Sequence, residues 1–133
     1  MDVIHGWRTG FPVPLAQACT WNPETVEAGC RIAAKECSAE GIDWTFAPMV
    51  DIPNDPRWGR VMESFGEDPY ASGVFARVSV HGYQTADPSA PDAIAACLKH
   101  FAGYAASEGG RDYSVARGFN RATQMRRQPG SAL

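Results

Sequence analysis

Ile42-Asp43-Trp44-Thr45-Phe46-Ala47-Pro48-Met49-Val50 is an apolar run that does not alternate with polar residues and ends abruptly in Asp51. A strand with one wet face would alternate, so this pattern predicts a strand buried on both faces, with regular pairing ending near Pro48. A second run of the same character, Ala93-Ile94-Ala95-Ala96-Cys97-Leu98-Lys99-His100-Phe101, also ends in polar residues. Capped helices separate such runs. Asn22 is a good N-cap, Pro23 suits the first helical position, and Glu24 sits where the helix dipole favours an acid. Val26, Cys30, Ala33 and Cys37 then recur at helical spacing up to the stop at Gly41, which predicts a helix from Pro23 to Glu40. Asp68 and Pro69 open a second helix, with Tyr70, Val74, Val78 and Tyr83 as its expected apolar stripe and fraying near Gly82.

Doubly buried strands separated by helices imply an α/β fold with parallel strands. Polar residues gather just after the two strands, at 51–67 and 99–112. That is the ligand-binding edge of a (β/α)8 barrel and equally of an open doubly wound sheet. The chain has no GxGxxG or GxxxxGK[ST] loop, which counts against nucleotide-binding sheets and favours the barrel.

The chain has 133 residues, room for one ordinary domain. Its formal charge of −3 gives no reason to expect nucleic acid as a partner. No apolar run approaches the roughly 18–20 residues of a membrane span, and the first residues lack the basic and apolar regions of a signal peptide. Cys19, Cys30, Cys37 and Cys97 show none of the short spacings of zinc or redox sites and read as small core thiols. His5, His81 and His100 are scattered, so neither a metal nor another cofactor is expected.

Three places could carry chemistry. Asp55-Pro56-Arg57-Trp58-Gly59-Arg60 holds two guanidinium groups, suited to a polyhydroxylated ligand or a carboxylate, or to pairing with Asp51, Asp55, Glu63 or Glu67. Lys99-His100 offers one charged donor and one group that can donate or accept, or else a solvated strand end. Asp2 could accept from two neighbouring hydroxyls, or simply be hydrated.

Taken in order, Asp2-Val3-Ile4-His5-Gly6, Ala47-Pro48-Met49-Val50-Asp51, Asp55-Pro56-Arg57-Trp58-Gly59-Arg60, Glu63-Ser64-Phe65-Gly66-Glu67-Asp68-Pro69-Tyr70 and Lys99-His100-Phe101-Ala102-Gly103-Tyr104 resemble glycoside hydrolase family 3. Glu108-Gly109-Gly110-Arg111-Asp112-Tyr113 continues the pattern. The resemblance implies part of a (β/α)8 (TIM-type) barrel over residues 1–115 of a retaining, exo-acting β-glucosidase-like enzyme. It implies that Asp2, Arg60, Lys99 and His100 hold the hydroxyls of a terminal β-linked glucosyl residue of an oligosaccharide or glucoside, and leaves Arg57 to pin the loop.

Retaining hydrolysis needs two carboxyl groups about 5–5.5 Å apart. In the family the nucleophile lies on a later barrel strand and the acid/base usually in a later domain, and neither stretch is recognisable here. No catalytic residue is therefore assigned, and the chain alone is expected to be inactive, its partners being the rest of the barrel and a later domain. Residues 116–133 depart from the family into a basic tail, as a truncated or frame-shifted frame would, and Met1 falls where the family has an internal residue. Related enzymes are often periplasmic or secreted. A β-xylosidase specificity and a non-catalytic sugar-binding module are the alternatives. An N-acetylglucosaminidase is disfavoured because no Asp-x-His signature lies near Lys99-His100.

Overall fold

The computed structural model describes residues 1–101 and 103–114, so the expected basic tail lies outside the described residues. Among the described residues three α-helices form: α1 (Pro14–Ala18), α2 (Pro23–Ser38) and α3 (Pro69–Gln84). The cap predicted for α2 is present, since Asn22 Oδ1 accepts from the Thr25 amide at 3.2 Å. At its other end Gly41 takes φ +76°, and the Ile42 amide turns back to the Cys37 carbonyl at 3.0 Å. A left-handed residue that returns the chain in this way satisfies carbonyls the helix leaves open. Asp68 caps α3 in the same manner, accepting from the Ala71 amide at 2.9 Å.

The stripe expected on α3 needs correcting. Tyr70 is 82% exposed, and the buried face is Ser72, Phe75, Ala76, Ser79, Gly82 and Tyr83. Its small residues let α3 approach α2 closely: a Cβ at Gly82 would lie 2.5 Å from the Glu27 carbonyl oxygen and 2.7 Å from Cys30 Cβ. Ser79 satisfies its hydroxyl on the Phe75 carbonyl at 2.7 Å, so a polar residue can lie inside the seam without an unpaired group. The helix also continues through Gly82 instead of fraying there.

The two apolar runs lie side by side and parallel, but among the described residues they do not form regular strands. Trp44 bridges Ala95 and Met49 bridges Lys99. Five residue steps on one side therefore oppose four on the other, which is the count of a bulge. Pro48, preceded by a cis peptide bond, has no N–H to give. An extra residue and a missing donor break the ladder into isolated bridges. Residues 1–3 lie on the opposite side of the central segment. Met1 N donates to the Trp44 carbonyl at 3.4 Å and the Phe46 amide donates to the Met1 carbonyl at 2.8 Å. That alternation is the one parallel neighbours make.

One face of this layer packs on the helices. Val3, Ala47 and Ile94 join Val26, Cys30, Ala33, Ala34, Cys37, Phe65, Phe75 and Tyr83 in one core, each large apolar side chain contributing about 1.5–3 kcal/mol. Cys30 and Cys37 are buried as expected, whereas Cys19 is exposed and Cys97 half-buried. On the other face Trp44 and Phe46, two residues apart and in edge-to-face contact at 4.7 Å, remain open, and Phe101 is fully exposed. A second, smaller core of Met49, Trp58 and Ala105 lies under the polar end of the layer.

Candidate functional site

Asp2, Arg60, Lys99 and His100 come from three separate stretches of chain, and the fold brings them to one end of the layer. Asp2 is placed by its buried neighbour. The Val3 amide donates to Thr45 Oγ1 at 3.1 Å, and the Val3 carbonyl accepts from the Tyr83 hydroxyl at 2.6 Å. Asp2 then projects from a fixed backbone and meets Lys99 Nζ at 2.5 Å. This hydrogen bond, opposed by partial burial and helped by the charges of Lys99 and Arg60, holds the Asp2 carboxyl below its ordinary value. The carboxylate stays ionised and can accept from further hydroxyls, because its residue remains exposed.

His100 is fixed twice by one carboxylate. Asp51, 3% exposed, accepts from the His100 amide at 3.1 Å and faces ring Nδ1 at 2.7 Å through the same oxygen. A carboxylate can only accept, so Nδ1 carries the proton. Nε2 is left facing the Arg60 guanidinium, whose Nη1 lies 3.3 Å away. The peptide bond joining Lys99 to His100 is cis.

Arg60 is held as rigidly. Its Nε and Nη2 donate in parallel to the two oxygens of Glu63, both at 2.7 Å. Such a fork fixes the plane of the guanidinium as well as its position. The pair keeps the Arg60 group protonated, its acidity pushed further out of reach by the Glu63 bond, and Arg60 in turn holds the Glu63 carboxyl down against burial. Arg57 is different. It pairs with Asp55 two residues away at 2.6 Å, and about three-quarters of its side chain is exposed. Both arginines thus have acidic partners, but only Arg60 keeps company with His100.

Asp51, Glu63, Tyr104 and Asp112 complete the cluster. The sequence names the first two within motif strings and as possible partners for the arginines, and the last two only within motif strings. The Tyr104 hydroxyl accepts from Arg60 Nη1 at 3.3 Å and donates to Asp112 at 2.7 Å. The other Asp112 oxygen accepts from Trp58 Nε1 at 2.8 Å. Close approach of the two loops depends on Gly110, at φ +71°, where a Cβ would lie 2.8 Å from the Trp58 nitrogen. Their adjacency to the Lys99-His100 and Arg57-Trp58 strings was the available signal. Chemically, the end of the layer presents one accepting carboxylate, an ammonium, a guanidinium and an imidazole within reach of one another. Such a set suits neutral, hydroxyl-rich molecules better than an anion, which Asp2 would repel.

Residues 1–127 match the family model of the glycosyl hydrolase family 3 N-terminal domain. The periplasmic beta-glucosidase of Salmonella typhimurium is 42% identical over 114 residues, covering 86% of this chain and 15% of that protein. A beta-xylosidase of Formosa agariphila is 35% identical over 103 residues, with 75% and 14% covered. The crystal structure of a beta-glucosidase from Listeria innocua in complex with glucose superposes with a TM-score of 0.82 at 47% identity, covering 85% of this chain and 16% of that one. The chain therefore spans about one-sixth or less of the relatives it matches.

Proposed function

The chain belongs to the glycosyl hydrolase family 3 N-terminal domain family, and from that premise we propose that it forms the first part of a (β/α)8 barrel in a retaining, exo-acting β-glucosidase. Asp2, Arg60, Lys99 and His100 hold the hydroxyls of the terminal β-D-glucosyl residue. The nucleophile and the acid/base come from the remainder of the barrel and a later domain. The observation that carries this reading is the convergence of those four side chains, each locked by its own partner, in a chain 47% identical to a glucose-bound β-glucosidase.

Each residue then has a stated task. The Asp2 carboxylate accepts from a pair of adjacent hydroxyls, Lys99 and Arg60 donate to hydroxyl oxygens, and His100 exchanges its Arg60 contact for a hydroxyl. Contacts of this kind accelerate the reaction if they tighten as the ring flattens toward an oxocarbenium-like state. The exposed face that carries Trp44 and Phe46 is the side on which the rest of the barrel closes. A β-xylosidase specificity is the second reading, favoured by the Formosa relative.

Binding of glucose and xylose to the isotope-labelled chain, followed at the Lys99 and His100 resonances by NMR, tests the proposal. Saturable shifts with glucose and weaker ones with xylose are expected. Stronger shifts with xylose select the second reading, and no shift with either sugar contradicts the clamp.

A further inference from the structure

Asp112 lies in the stretch Glu108 to Tyr113, outside the four residues assigned to the clamp. Its residue is exposed, yet both carboxylate oxygens are engaged by aromatic donors from different loops. Trp58, 1% exposed, is the anchor of the 51–67 connection. Tyr104 opens the following loop. Asp112 therefore links its loop to a buried post, and what it ties down is Tyr104.

Tyr104 touches two of the four clamp residues. Its ring meets the His100 ring edge-on, with centroids 4.3 Å apart, and Arg60 Cζ lies 5.4 Å from its centroid. Its hydroxyl has one proton and gives it to Asp112, which leaves its oxygen turned to accept from Arg60 Nη1. Without the Asp112 acceptor the hydroxyl would have no fixed direction, and its lone pair would not be held toward Arg60. Trp58 also packs edge-on against the same ring at 5.5 Å, which closes the cluster.

We infer that Asp112 is a positioning residue: acting through Tyr104, it sets the orientation of Arg60 and His100 for the sugar. The assignment rests on the sugar-holding reading of those two residues, and the test separates the two ideas. Asp112→Asn keeps an oxygen for Trp58 but presents an amide donor to a hydroxyl that must itself donate. Tyr104→Phe removes the same link with no change of charge, and decides the matter if circular dichroism shows Asp112→Asn to be unfolded. In the ligand-free 133-residue chain, both substitutions move the His100 Cε1–H and Arg60 Nε–H resonances. Both lower the affinity for glucose about five- to tenfold, and the double variant goes no further than the larger single effect. Unmoved His100 and Arg60 signals in both folded variants overturn the inference, whatever happens to glucose. Moved signals in a protein that binds no glucose, even as wild type, uphold the positioning link and defeat the sugar reading instead.

Discussion

Replacing Glu63 with glutamine takes away the charge that holds Arg60 while keeping the shape of the side chain. In the native pair two parallel donors meet two oxygens, both at 2.7 Å, and the side chains are 27% and 24% exposed. Glutamine keeps one acceptor and turns an amide donor toward the guanidinium, so one charge-assisted bond is lost and a half-buried cation is left unbalanced. Surface pairs contribute little and fully buried ones cost about 3–5 kcal/mol when broken. This intermediate case should cost about 1–2 kcal/mol. For a domain of this size that moves the urea midpoint down by roughly 0.5–1 M. Acid titration gives an independent sign. Arg60 depresses the Glu63 carboxyl below its ordinary 4.5. Its contribution is therefore complete above that value and is lost as pH falls through the lower folded-state value. Wild type should lose this share of stability in acid, and Glu63→Gln should lack that part of the acid limb. Equal urea midpoints at pH 7 with superimposable acid limbs would refute the reasoning, because the fork would then carry no net energy.

Two other outcomes follow from the same geometry. Gly82→Ala places a Cβ against the Glu27 carbonyl and Cys30 Cβ, so overpacking of about 1–3 kcal/mol outweighs a helix-propensity gain of about 1 kcal/mol; a raised or unchanged melting temperature would show that the α2–α3 seam is looser than described. The 133-residue chain should not hydrolyse an aryl β-glucoside at an enzymatic rate, since it lacks an assigned carboxylate pair; turnover that disappears in Asp51→Ala or Glu63→Ala would show that these acids were given the wrong role.

The helices were legible because capping is local chemistry. Asn22-Pro23 and Asp68-Pro69 specify their starts with a few atoms, and both caps form. The buried face of α3 was not legible, because hydrophobicity pointed to Tyr70 and Val74 while the seam is built from Ser72, Ser79 and Gly82, whose value is small size. The apolar runs announced parallel neighbours, but regular pairing depends on register, and the extra residue between Trp44 and Met49 becomes visible only against Ala95 and Lys99. At the site, Asp2, Arg60, Lys99 and His100 could be named through their motif strings. Their partners could not be assigned, because Asp51 and Glu63 are ordinary acids in a charged loop until distances separate the Arg57–Asp55 pair from the Arg60–Glu63 fork.

The central claim is that Asp2, Arg60, Lys99 and His100 hold the terminal sugar in a longer family 3 enzyme. It is tested most directly by steady-state kinetics on a polypeptide that continues this segment through the remaining barrel and the following domain. Turnover and apparent affinity for an aryl β-glucoside are measured for Arg60→Ala, Lys99→Ala, His100→Ala and Arg57→Ala. Each of the first three should lose roughly 1–3 kcal/mol of transition-state stabilisation, a fall of about 5- to 150-fold in kcat/KM. Arg57→Ala should stay within about twofold of wild type, because its partner is Asp55 and its side chain is largely in solvent. Near-normal kcat/KM in the first three variants, with only their stability altered, would contradict the account and reduce those residues to scaffold.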